Sequence, residues 1–224
     1  MKKVTLLLLL SCSILFAQET ITTNLGDFND LKVFSGLTVK LEKSDVAKIV
    51  IKGSKANQVS VKNKNGLLKL SLNFADGFKY EDVSITLFYN KNIGVLDANE
   101  GAYIISHDIF EQLNLELKVQ EGAHIEMPLN VKYLTIKSVS GGVIEVNGTT
   151  QNQTVDANTG GIYNAYDLKS KQSVVTSSAG AIVHVQAKEV LDAKVNFGGT
   201  IYYKGTPEEL KTKKVVGGTI KQKD

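Results

Sequence analysis

The sequence predicts an all-β protein: a right-handed parallel β-helix, or solenoid, preceded by an antiparallel β region that caps it. Three observations carry this expectation. Seven glycines, Gly101, Gly122, Gly141, Gly160, Gly180, Gly198 and Gly217, recur at intervals of 18 to 21 residues. The residue after each is always Gly or Ala, and the residue two places further on is Ile104, Ile125, Ile144, Tyr163, Val183, Ile201 or Ile220. The stretches between glycines alternate apolar and polar side chains, as β-strands with one buried face do. A period near twenty residues marks a coil in which each turn buries its apolar face only by stacking on its neighbours.

The chain begins Met1-Lys2-Lys3, and Val4 to Phe16 form an apolar run. This is the pattern of a secretory leader, expected over residues 1–17 with cleavage after Ala17. The run is shorter than the roughly 20 residues a membrane-spanning helix needs. An alternative, lipidation of Cys12, is disfavoured because apolar sequence continues past it through Ile14-Leu15-Phe16. Cys12 is the only cysteine, so the mature chain has no internal disulfide. Export to the periplasm, the outer-membrane surface or the extracellular space follows.

Residues 28–97 read as the capping β region. Phe34 to Leu41 alternates, as do Lys48 to Lys52 and Val83 to Leu87. Val59-Ser60-Val61 and Leu68 to Leu72 flank Asn65-Gly66, a hairpin signal because both residues tolerate positive φ. A solenoid end is an exposed sheet edge and needs such cover. Residues 98–224 read as a solenoid of about six rungs, and 28–224 as one continuous domain. Within it the small column, Ala102, Ala123, Gly142, Gly161, Ala181, Gly199 and Gly218, implies a corner with no room for a larger side chain. The aliphatic column is expected to point inward, followed by Met127, Val146, Ala165, Val185 and Tyr203. Before the glycines, Leu96, Leu117, Ile136, Val155 and Val175 stand five places upstream, and Leu115, Leu134, Leu191 and Leu210 seven upstream. Thr206-Pro207-Glu208-Glu209 carries helix-start features and predicts one helical turn.

These features resemble the bacterial head GIN domain family, described as auto-transporter adhesin heads and common in Bacteroidota. The resemblance rests on Phe34-Ser35-Gly36-Leu37-Thr38-Val39, the recurring Gly-Gly/Ala-x-Ile rungs, and Ile201-Tyr202-Tyr203-Lys204-Gly205-Thr206-Pro207. It covers nearly all of the mature chain and implies a β-solenoid at the cell envelope with no catalytic set. The sequence departs from an autotransporter in having no barrel-forming segment after Ile220.

Composition narrows the function classes. With 42% hydrophobic and 22% charged residues the chain can bury a sizeable core. Net charge is +3, all 26 basic residues are lysine, and no dense basic run occurs, which argues against nucleic-acid binding. The histidines, His107, His124 and His184, fall at different offsets in their rungs, and no Ser/His/Asp set aligns. Glu100 and Glu121 stack one rung apart with Asp97 near, but the calcium-binding repeat motif is absent. Neither a metal, nor a cofactor, nor a catalytic residue is therefore expected. Tyr103, His124, Val143, Ile162 and Ile182 should form an outward stripe by the period-two rule, a candidate face for a partner or for a homo-oligomer. The function expected is a secreted or cell-surface binding module whose unknown ligand is a glycan or a protein. The rivals are a carbohydrate-active β-helix enzyme built on the stacked pair Glu126 and Glu145, and a structural envelope protein without a ligand. Tyr163, Tyr166, Tyr202 and Tyr203 could stack on sugars or serve as core and edge residues.

Overall fold

The computed structural model describes residues 19–73 and 83–223. The leader, with Cys12 and Ala17, lies outside them. Among the described residues, seventeen strands join in one continuous sheet wound into a β-solenoid of about seven turns. No helix among the described residues is long and apolar enough to cross a membrane.

The regular turns begin at β8 (Val95–Ala98) and β9 (Tyr103–Ser106), separated by the first glycine corner. They continue through β10 (Phe110–Val119), β11 (His124–Ser138), β12 (Val143–Ala157), β13 (Ile162–Ser178) and β14 (Ile182–Asn196). The last turns are β15 (Thr200–Lys204), β16 (Glu209–Val215) and β17 (Thr219–Gln222). Successive turns pair in parallel, β8 and β9 with β10 and β11, and β15 and β16 both with β14, so like positions stack. Ile104, Ile125, Ile144, Tyr163, Val183 and Ile201 are neighbours in successive registers, and all are 0% exposed. Burying each such side chain contributes about 1.5–3 kcal/mol, and the ladder repeats that gain at every turn. The helical turn expected at Thr206 is not formed. Glu209 instead opens β16, which pairs residue by residue with Val190 to Asn196 of β14. The ladder claims this backbone before a helix can nucleate, a costly step for so short a segment.

At the other end, β1 (Thr20–Asn24), β4 (Lys48–Lys52) and β7 (Ser84–Tyr89) pair antiparallel, as do β5 (Val59–Lys64) and β6 (Leu67–Leu72) across the Asn65-Gly66 turn. The remaining pairings in this region are parallel. β2 (Asp30–Val33) lies parallel between β6 and β8, and β3 (Thr38–Lys43) lies parallel between β7 and β9. Thus β2 with β3 forms a coil turn of its own, and β6 with β7 another stacked outside it. The chain visits these turns out of order. The corner that joins β2 to β3 is of the same kind as the later ones: Ser35 and Gly36 take φ of 61° and 66°, the same left-handed pair that turns every later rung.

At each later corner the lead glycine has φ between 70° and 79°, and the residue before it is also left-handed. A hydrogen bond closes the four-residue turn, as from the N–H of Gly161 to the carbonyl of Asn158 at 3.0 Å. Two left-handed central residues are the mark of a type I′ turn. A methyl group added to Gly160 would meet nothing within 4 Å, so that column is glycine for its backbone angle alone. The following column is small for a different reason. A methyl on Gly161 would stand 2.1 Å from the Ser138 carbonyl oxygen, and one on Gly142 would stand 2.7 Å from Val119 Cγ2. Gly199 meets Ser177 in the same way, and Gly218 meets Val195 and Gly199. Where the residue beneath is alanine, Ala98 or Ala157, the small column holds alanine, Ala123 or Ala181. Ala102, above Val33, is the one departure among these rungs.

One part of the core is polar. Tyr163 fills a slot that is Ile or Val in the other rungs, and its hydroxyl donates to Gln153 Oε1 at 2.8 Å. Gln153 Nε2 donates to Ser173 Oγ at 2.9 Å, and Ser173 and Ser170 are joined at 2.7 Å. Ser170 Oγ ends the chain on the Gln186 carbonyl at 2.5 Å. Gln153 and Ser173 occupy the position seven before the glycine that is leucine in other rungs, and both are buried. Burial raises the Tyr163 hydroxyl far above its ordinary pKa, so it remains a donor.

Candidate functional site

Strands alternate sides every residue, so the residues two and four places after each lead glycine both face away from the core. The first of these columns is the stripe expected from sequence. Tyr103, His124, Val143, Ile162 and Ile182 are direct neighbours in register, each half-buried. The rings of Tyr103 and His124 stack with centroids 4.7 Å apart.

The second column, Glu126, Glu145, Asn164, His184 and Tyr202, is equally continuous and far more polar. Hydrogen bonds run along it. His184 Nδ1 meets Asn164 Oδ1 at 2.8 Å, and Asn164 Nδ2 donates to Glu145 Oε1 at 2.8 Å. The acceptor at Asn164 places the His184 proton on Nδ1. Across the columns, the Tyr103 hydroxyl donates to Glu126 Oε2. Burial and then the Glu126 carboxylate raise the Tyr103 pKa well above its usual range, which keeps the phenol protonated.

A bulge shapes the floor of this face. Opposite β12 and β14 the register slips around Ala165 to Lys169, so that Tyr166 and Asp167 swell out of the ladder while Leu168 turns inward. Such bulges re-aim side chains beside sites. Here the bulge walls a groove of about 440 Å³ lined by Glu126, Glu145, Asn147, Asn164, Tyr166 and His184. Tyr166 packs on His184 at 4.8 Å, His184 stacks on Tyr202 at 5.6 Å, and Lys204 and Lys223 lie over the two tyrosine rings.

Burial, then the Lys223 charge, lowers the His184 pKa below its ordinary value. The folded state thus holds the neutral imidazole, and the unfolded chain binds the extra proton. Stability is fully present above the unfolded value near 6.5 and is lost as pH falls through that value toward the depressed one. Urea titrations at pH 7.5 and pH 5.0 should show a drop for the wild type that is smaller in His184→Gln. An equal drop in both would assign the pH dependence elsewhere.

Other sequence candidates stay apart. Glu100 and Glu121 are exposed corner residues with φ of 54° and 56°, not parts of a shared pocket. Asp97 pairs with Lys32 at 3.0 Å instead of joining them. Tyr203 is buried. The groove is not legible in the sequence, because the bulge that opens it appears there only as a spacing of 20 residues from Gly160 to Gly180, beside spacings of 19 and 18.

The fold recurs in solved structures. A "putative adhesin" from Bacteroides fragilis NCTC 9343 superimposes with a TM-score of 0.81 at 20% identity, covering 92% of this chain and 97% of that one. Another "putative adhesin", from Parabacteroides distasonis ATCC 8503, gives 0.73 at 17% over 92% and 97%. A "putative lipid binding protein" from the same organism gives 0.68 at 18% over 92% and 97%. At these identities the likeness is one of fold. No curated protein matches the sequence. A family model does match, over residues 27–207, and the chain belongs to that family, "Putative auto-transporter adhesin, head GIN domain".

Proposed function

We propose that this protein is an exported binding module of the cell envelope that captures an extracellular carbohydrate on the face described above, without catalysis. The observation that carries the reading is the groove beside the apolar stripe. A sugar presents apolar C–H faces and a rim of hydroxyls. Tyr166, His184 and Tyr202 supply aromatic surface, and Glu145, Asn164 and Glu126 supply acceptors and a donor at fixed positions. Few, well-placed polar groups within an apolar surround are what small-molecule sites use for orientation. Val143, Ile162 and Ile182 extend the contact along the axis at about 4.8 Å per rung. The family description and the leader expected over residues 1–17 support placement at the surface.

A glycan array followed by calorimetry tests this. Wild-type protein should bind a restricted set of glycans, and Asn164→Ala and Tyr166→Ala should each weaken binding at least tenfold. Absence of any bound glycan, or binding retained in both variants, would overturn the reading. Release of products from the bound polysaccharides would replace it with a glycosidase or lyase acting through Glu126 and Glu145.

A further inference from the structure

Where the two outward columns meet, three metal-ligating side chains converge from adjacent rungs. His124 Nε2 and carboxylate oxygens of Glu126 and Glu145 all lie within 4.8 Å of one another. Three independent features mark the cluster as built for a cation. First, His124 Nε2 is shut off from solvent and has no hydrogen-bond partner, yet it points at Glu145 Oε2, 3.9 Å away. A buried imidazole nitrogen left unpaired is costly unless something fills it. Second, Glu126 and Glu145 are direct neighbours in a parallel register. Like charges side by side in a sheet repel. In a chain with 26 lysines, none among the described residues pairs with either glutamate. Third, the outer oxygens and the ring are already held. Tyr103 donates to Glu126 and stacks on His124, and Asn164 donates to Glu145. Such second-layer contacts orient ligands in real metal sites.

We propose that His124, Glu126 and Glu145 bind a divalent transition-metal ion of the zinc type. One imidazole and two carboxylates suit zinc better than calcium, which takes six or more oxygens. Bonds of about 2.0–2.2 Å in a tetrahedral shell set ligand atoms about 3.3 Å apart, so the three atoms must close by no more than about 1.5 Å. That motion is within the rotamer freedom of two partly exposed glutamates. Glu126 and Glu145 also line the groove, so a fourth ligand would be water or a ligand hydroxyl reaching the ion from that side. The site stands on this geometry alone, and its metal binding is read without any glycan.

The test uses chelator-treated protein with Zn²⁺ or Ca²⁺ as the probe, by calorimetry and thermal unfolding. Zn²⁺ should bind one per chain and raise the melting temperature, and Ca²⁺ should do neither. His124→Gln and Glu145→Gln should each weaken Zn²⁺ binding at least tenfold, while His107→Gln leaves it unchanged. Either conservative variant decides the matter if it folds, as judged by circular dichroism before titration. Saturable Zn²⁺ binding that survives in a folded His124→Gln or Glu145→Gln protein, or no saturable binding by the wild type, overturns the proposal.

Discussion

Gly161→Ala is expected to destabilise the coil by about 3 kcal/mol, the upper part of the range for overpacking a well-filled interior. The added methyl would sit 2.1 Å from the Ser138 carbonyl oxygen and 2.8 Å from its hydroxyl oxygen. The first of these is backbone, and it cannot rotate away. Ser138 is itself tied down, donating to the carbonyls of Gly142 at 2.7 Å and Ile162 at 3.2 Å. Gly160→Ala is the informative contrast. Its methyl meets open space, and the only cost is the left-handed backbone at φ 71°, about 1–2 kcal/mol. Chemical denaturation of both variants should rank Gly161→Ala as clearly the more damaging. Combining Gly161→Ala with Ser138→Ala recreates the Ala157 and Ala181 pairing and should cost less than the sum of the two single changes. Additive costs would mean that the two positions do not sense each other.

Tyr163→Phe is expected to cost about 1–3 kcal/mol although the ring still fills its slot. The tyrosine and Gln153 are both buried, so loss of the hydroxyl leaves Gln153 Oε1 without its donor in a site closed to solvent. The deficit should propagate, because Gln153, Ser173 and Ser170 form one chain of bonds ending on the Gln186 carbonyl. Gln153→Leu restores the residue type found at this position in other rungs. The double variant Tyr163→Phe with Gln153→Leu should therefore recover part of what the single Tyr163→Phe change loses. A coupling energy near zero in the double-mutant cycle would show that the network adds nothing beyond its separate bonds.

These two positions also show what sequence could and could not convey. The lead glycines and the Ile and Val ladder were legible because each column repeats one physical demand at a fixed period. The buried network was not, because Gln153 and Ser173 read locally as polar linker residues. Only stacking reveals that they replace leucine in the core. The coil turns made by β2 with β3 and by β6 with β7 were hidden for another reason. The chain reaches them out of spatial order, so no single period links them to the rest. On the outer face, the stripe from Tyr103 to Ile182 followed from alternation alone. The convergence of His124 with Glu126 and Glu145 did not, because it joins different offsets in different rungs. Diagonal neighbours on a sheet come within reach only when the side chains are long.

The match between each corner and the residue beneath it limits how such a coil can lengthen. A copied rung inserted at a new level would bring its own corner and its own underlying side chain. Unless both suit the new neighbours, one junction clashes and another is left with a gap. Growth by simple duplication is therefore permitted only where an alanine rests on an alanine, or where the flanking pair changes with the insert. The repeats are alike in outline and yet addressed to their places, as numbered stones are in an arch.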